Sequence, residues 1–91
     1  MEIKYNAVAG TSESSDVLIS IDKGNGKIDV ELESIVINQY GDSIKQEVLD
    51  VLKKFDVTDC KINILDRGAL PQVIRARVET AIKRSQKGGN K

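Results

Sequence analysis

The chain has no histidine and no tryptophan, a single cysteine (Cys60), a single proline (Pro71), and only Tyr5, Tyr40 and Phe55 as aromatics. Each shortage excludes something. Without histidine there is no imidazole to act as general acid or base. One cysteine cannot close an intramolecular disulfide or build a thiolate zinc site. Metal ligation would fall to carboxylates alone, and their spacing shows no cluster, so no metal is expected. No apolar run approaches the roughly 20 residues that cross a bilayer. The N-terminus lacks the basic-then-apolar pattern of a secretory signal. The expectation is a cytoplasmic protein with no membrane partner.

What is present is one small domain's worth of chain. Its 91 residues are 40% hydrophobic and 31% charged, enough for one aliphatic core under a solvated surface. The division expected is a domain over residues 1–86 and a flexible tail over 87–91. The net charge is zero, yet residues 1–60 hold twelve acidic and six basic side chains, and residues 61–91 hold two and eight. The basic half can attract an anion. Equally, Lys83, Arg84 and Lys87 suit the carbonyl end of a terminal helix.

Periodicity orders the elements. Residues 2–9 suggest a short strand with Ile3, Tyr5 and Ala7 on one face. Residues 16–22 alternate, with Val17, Ile19 and Ile21 on one side. Lys23-Gly24-Asn25-Gly26 is a hairpin signal, because Gly and Asn tolerate positive φ. Residues 27–33 alternate strictly, with Ile28, Val30 and Leu32 inward and Asp29, Glu31 and Glu33 outward. These two strands are expected to pair as an antiparallel hairpin with one wet face. A helical stripe follows at Ile37, Tyr40, Ile44, Val48, Val51, Leu52 and Phe55. It is expected to start near Ile35 and to tolerate Gly41. Cys60, Ile62 and Ile64 mark another strand. Leu70, Val73, Ile74, Val78, Ala81 and Ile82 mark a second helix, with Pro71 in its first turn. The prediction is an α+β fold in the order β-β-β-α-β-α. A small mixed sheet, a hairpin plus further strands, carries both helices on one face.

Few residues invite chemistry. The alternation of Asp29, Glu31 and Glu33 makes them a solvent face. Gly24-Asn25-Gly26 has no helix behind it and so lacks the geometry of a phosphate cradle. Cys60 falls on the apolar phase of a strand, where packing outweighs reactivity. Arg75 and Arg77 lie two apart on a helix, on different faces, and read as solvated or salt-bridged. One stretch stands out: Ala7-Val8-Ala9-Gly10-Thr11-Ser12-Glu13-Ser14-Ser15-Asp16. Its four hydroxyls and two carboxylates follow a small-residue turn. Such a loop cannot catalyse unaided, but it can present a hydroxyl to a modifying enzyme. On composition alone, an ordinary turn is the simpler reading.

A resemblance changes that weighting. Met1-Glu2-Ile3-Lys4, Ala7-Val8-Ala9-Gly10-Thr11 and Glu13-Ser14-Ser15-Asp16-Val17 resemble the opening of the acyl carrier (gamma) subunits of bacterial citrate lyase. Gln39-Tyr40-Gly41-Asp42, Asp66-Arg67-Gly68-Ala69-Leu70 and Val73-Ile74-Arg75-Ala76-Arg77-Val78-Glu79 extend the likeness over nearly the whole chain. Pro71-Gln72 departs from the Asp-Cys of that family. The resemblance implies a non-catalytic carrier. Ser14 would bear phosphoribosyl-dephospho-coenzyme A through a phosphodiester. The thiol of that group would hold acetyl and citryl thioesters for the alpha (acyl transferase) and beta (lyase) subunits, after loading by a prosthetic-group transferase. The turn is expected to be flexible, and Glu13 and Asp16 beside Ser14 would repel that phosphate only modestly at an exposed site. The competing reading is a nucleic-acid-binding module that uses the basic C-terminal helix. Against it, the sheet shows no aromatic stacking pair, so no nucleic-acid partner is expected.

Overall fold

The computed structural model describes residues 1–35 and 37–88. Four strands and two helices follow in the expected order: β1 (Ala7–Gly10), β2 (Val17–Asp22), β3 (Ile28–Ser34), α1 (Ile37–Lys54), β4 (Cys60–Asp66) and α2 (Pro71–Ser85). The sheet order is β1-β2-β4-β3. β1 runs antiparallel to β2, β2 antiparallel to β4, and β3 parallel to β4. Both helices cover one face: α2 packs over β1 and β2, and α1 packs over β3 and against α2.

The expected hairpin between β2 and β3 is not formed, because β4 lies between them. Val17–Asp22 pairs with Asp66–Lys61 on one side of β4, and Ile28–Ser34 pairs with Cys60–Asp66 on the other. The Gly24-Asn25-Gly26 turn therefore steps across the start of β4. It is pinned there: the Gly26 amide donates to Asp59 Oδ1 at 2.9 Å, and the Cys60 amide donates to the Lys27 carbonyl at 3.1 Å. Gly24 is needed for close approach, since a Cβ there would stand 2.7 Å from the Cys60 nitrogen. The antiparallel hairpin the sheet does contain joins β1 to β2, and the serine-rich loop is its connection.

The core is aliphatic, as composition requires. Ile19, Ile21, Val48, Leu52, Ile62, Ile74, Val78 and Ile82 are all buried. Truncating Leu52 to Ala would cost about 2–5 kcal/mol, the usual range for a buried leucine. β3 is an edge strand, so Ile28, Val30 and Leu32 are only half-buried, while Asp29, Glu31 and Glu33 are exposed as expected. Cys60 is buried.

Three expectations shift. The first strand is shorter than residues 2–9, because pairing with β2 begins only at Ala7↔Ile21. Ile3 is still buried, but Tyr5 is half exposed, and its amide donates to the Ser85 carbonyl at the end of α2. The buried row of α1 runs through Gly41, Ile44, Val48, Val51 and Leu52, leaving Tyr40 exposed. In α2, Leu70 precedes the first helical residue and is exposed, so the buried row begins at Ile74. Of the expected tail, residues 89–91 lie outside the described residues.

Candidate functional site

The β1–β2 connection, residues 11–16, is a tight turn with a fixed base and an open apex. The Asp16 amide donates to the Glu13 carbonyl at 3.1 Å, closing a four-residue turn around Ser14 and Ser15. Ser15 adopts a positive φ of 65°, as the third residue of a type II turn must. That conformation costs a side-chain-bearing residue about 1–2 kcal/mol, so the surroundings must hold it. The Ser15 amide donates to the Arg67 carbonyl at 2.8 Å, and the Arg67 amide returns a bond to the Asp16 carbonyl at 2.9 Å. These two bonds set Ser15 and Asp16 together opposite Arg67, as in a β-bulge just beyond the Val17↔Asp66 end of the ladder, and tie the turn to the end of β4.

Asp16 closes the base. Its Oδ1 accepts from the Val17 amide at 2.8 Å and from Arg77 Nε at 3.2 Å. Its Oδ2 accepts from Thr11 Oγ1 at 2.6 Å and from Arg77 Nη2 at 3.0 Å. Thr11 Oγ1 in turn accepts from the Glu13 amide at 3.2 Å. The Thr11 hydroxyl, then the Val17 amide and then Arg77, hold the Asp16 carboxyl below its ordinary range. The turn expected to be flexible thus has a well-bonded stem. Repulsion of a phosphate by Asp16 is also reduced, because Arg77 neutralises that carboxylate.

Ser14 stands at the apex. It is exposed, and among the described residues its hydroxyl has no hydrogen-bond partner. Among the described residues no side chain is hydrogen-bonded to it as a base, and the chain has no histidine. Ser12 and the Ser15 side chain are exposed as well. Among the described residues, no group of three or more His, Cys, Asp or Glu side chains could hold a metal ion. An uncovered, unpartnered hydroxyl on a braced turn fits a covalently attached group. It does not fit a catalytic nucleophile, which needs an activating base.

Arg75 pairs with Glu47 across the two helices, and Arg77 serves the loop. Lys83 pairs with Glu79, and Arg84 Nη1 donates to the Val8 carbonyl at 2.8 Å. All four cations of α2, the helix behind the nucleic-acid reading, therefore engage the protein itself. Cys60 is inert: burial, and then the charge of Asp59, push its thiol up to about 11.

Two features went unread in the sequence. The Arg77–Asp16 bridge spans 61 residues, though Arg77 lies three residues after buried Ile74 and so near the covered side of α2. Asp66 is 1% exposed and fully bonded. Its Oδ1 accepts from the Gly68 and Ala69 amides at 3.2 and 2.9 Å, and its Oδ2 accepts from Ser34 Oγ at 2.8 Å. A carboxylate in phase with Cys60, Ile62 and Ile64 was the available signal.

Among the described residues, no helix is long and apolar enough to cross a membrane. The family model described as Malonate decarboxylase delta subunit (MdcD) matches residues 4–85. The citrate lyase acyl carrier protein of Oenococcus oeni is 51% identical over 85 residues, covering 93% of this chain and 88% of that protein. The one from Pectobacterium atrosepticum is 46% identical over 88 residues, covering 97% and 92%. A chain from the crystal structure of a Pseudomonas malonate decarboxylase hetero-tetramer in complex with malonate superposes with a TM-score of 0.76. It is 27% identical, with 93% of this chain and 88% of that chain covered. With the braced serine turn, these relationships establish that the chain belongs to the family of citrate lyase acyl carrier proteins, as a non-catalytic carrier subunit that works through a covalently attached prosthetic group.

Proposed function

We propose that Ser14 is the attachment residue, that the group it bears is phosphoribosyl-dephospho-coenzyme A, and that the loaded carrier serves a citrate lyase assembly in the cytoplasm. The observation that supports the turn as the attachment site is the contrast within it; Ser12 and Ser15 are exposed as well, and the match of Glu13-Ser14-Ser15-Asp16-Val17 to the family selects Ser14. The Ser14 hydroxyl is exposed and unpartnered, while Asp16, two residues on, is held by four hydrogen bonds. The bonded stem fixes where the serine stands, and the open apex leaves its oxygen free to enter an enzyme.

When attached, the group supplies a thiol that carries acetyl and citryl units as thioesters. The protein's own residues do the rest. Ser14 anchors the phosphodiester. Arg77 lessens the repulsion that Asp16 would otherwise exert on it. Arg67, exposed and bonded through its backbone to Ser15 and Asp16, leaves a cation beside the turn that makes no ion pair among the described residues. At an exposed site such charges act over about 10 Å at ordinary salt. Among the described residues no side chain hydrogen-bonds the Ser14 hydroxyl, so the base that takes its proton on loading is assigned to the prosthetic-group transferase. The alpha subunit (acyl transferase) and the beta subunit (lyase) then meet a substrate whose local concentration is set by the tether. The cofactor bears the chemistry and the carrier the positioning.

The test is loading by the transferase. Ser12→Ala and Ser15→Ala variants should accept one group per chain and restore citrate cleavage to carrier-depleted lyase. Ser14→Ala should fold normally and do neither. A Ser14→Ala protein that still loads and restores turnover contradicts the assignment.

A further inference from the structure

An apolar concavity lies between the first turns of α1 and the entry to α2, at the end of β4 to which the serine turn is tied. Its volume is about 300 Å³, and Tyr40, Ser43, Ile44, Ala69, Leu70 and Ile74 line it. Leu70 and Tyr40 are 60% and 56% exposed, an unusual outlay of apolar surface in a chain with three aromatics. Two carboxylates also line it. Glu47 is paired with Arg75, and Asp66 at the floor is buried with its oxygens occupied by amides and the Ser34 hydroxyl.

Two structural links join this groove to the turn. Arg67 holds the turn through its backbone and is followed directly by Gly68 and Ala69, which form the groove wall. On α2, Ile74 lines the groove and Arg77 grips Asp16. Those two positions are only about 5 Å apart along the helix axis at 1.5 Å per residue.

We propose that the groove is a resting berth for the uncharged, amide-containing thiol arm of the prosthetic group between visits to partner subunits. The inference rests on attachment at Ser14. The mostly apolar lining suits a linker of amides and methylenes, and its two carboxylates disfavour a phosphate or carboxylate. The Tyr40 and Ser43 hydroxyls give amides something to bond, in the common pattern of an apolar site with a few polar groups. A shallow groove would bind a free arm weakly. A tethered arm meets it at an effective concentration near the millimolar range, so even weak affinity gives substantial occupancy. The berth must be weak, because a partner has to withdraw the arm.

The experiment uses carrier loaded by its transferase, with peptide mass mapping to place the group. Methyl resonances of Ile44, Leu70 and Ile74 are compared before and after loading. The arm's thiol is timed against Ellman's reagent beside free pantetheine. The berth predicts shifts confined to those methyls and a thiol roughly three- to tenfold slower than the free one, the protection that millimolar tethering supports. Leu70→Glu, at an exposed position, should load fully and return the thiol to the free rate. With the group mapped to Ser14, unmoved methyls and an unprotected thiol overturn the berth while leaving the attachment standing. Methyls that move only on addition of the lyase subunits overturn it too, and give the groove to a partner. A group mapped to another residue overturns the attachment and the berth together.

Discussion

The guanidinium of Arg77 grips both carboxylate oxygens of Asp16, at 3.2 and 3.0 Å, from 61 residues away. One helix turn thereby fixes the stem of the loop that displays Ser14. Arg77→Leu removes the grip. The pair is partly exposed, with 40% and 16% of the two side chains accessible. The expected cost is therefore about 1 kcal/mol rather than the larger value of a buried pair. In a domain of this size that lowers Tm by about 4–8 °C. Amide exchange at Ser15 and Asp16 should speed up more than exchange in β4. Thermal melts and exchange rates measure both.

Acid should loosen the same stem. The folded state holds Asp16 below its ordinary range, so its contribution is fully present above the unfolded value of about 3.9. That contribution is lost as the pH falls through the lower folded value. The largest cause is the Thr11 hydroxyl. Thr11→Val should raise the Asp16 titration midpoint, seen by carboxyl NMR. The stability gap between wild type and variant should be wide at pH 7 and close by about pH 2.

Gly10 ends β1 with φ of 91°, and a Cβ there would land on the Val17 carbonyl oxygen. Backbone cannot yield as a side chain can. Gly10→Ala should cost about 3 kcal/mol, the upper end of overpacking, and shift the amide resonances of residues 11–17. Denaturant unfolding and a two-dimensional spectrum read both effects.

Cys60 is 0% exposed and its thiol is pushed up to about 11 by burial. Unloaded protein should therefore show no thiol reactive to Ellman's reagent at pH 8 until it is unfolded. Loading should add one. A fast thiol in the folded, unloaded chain would contradict the packing of β4.

Much of the architecture was written in the alternation of β3 and β4 and in the two helical stripes, because burial on one face leaves a period in the sequence. Neighbours left no such trace. Alternation says which face a residue takes and is silent on which strand lies beside it, so the Gly24-Asn25-Gly26 turn read as a hairpin although it steps over β4. Ser14 was legible only through resemblance, since its local composition is that of any turn. The stem was not legible at all: Asp16, Arg67 and Arg77 meet only once β2, β4 and α2 have packed. Tyr40 and Leu70 fit helical stripes and were expected inside. They stand out because the buried rows pass through Gly41 and Ile74, one position and four positions along.

The most direct test of the central claim is fragmentation mass spectrometry of the peptide spanning residues 5–23, taken from active lyase assembled in the source organism. Ser12, Ser14 and Ser15 all lie in that peptide. The account predicts one phosphodiester-linked nucleotide group per chain, on Ser14 alone. A group on Ser12 or Ser15, or bare serines in a fully active assembly, would contradict it.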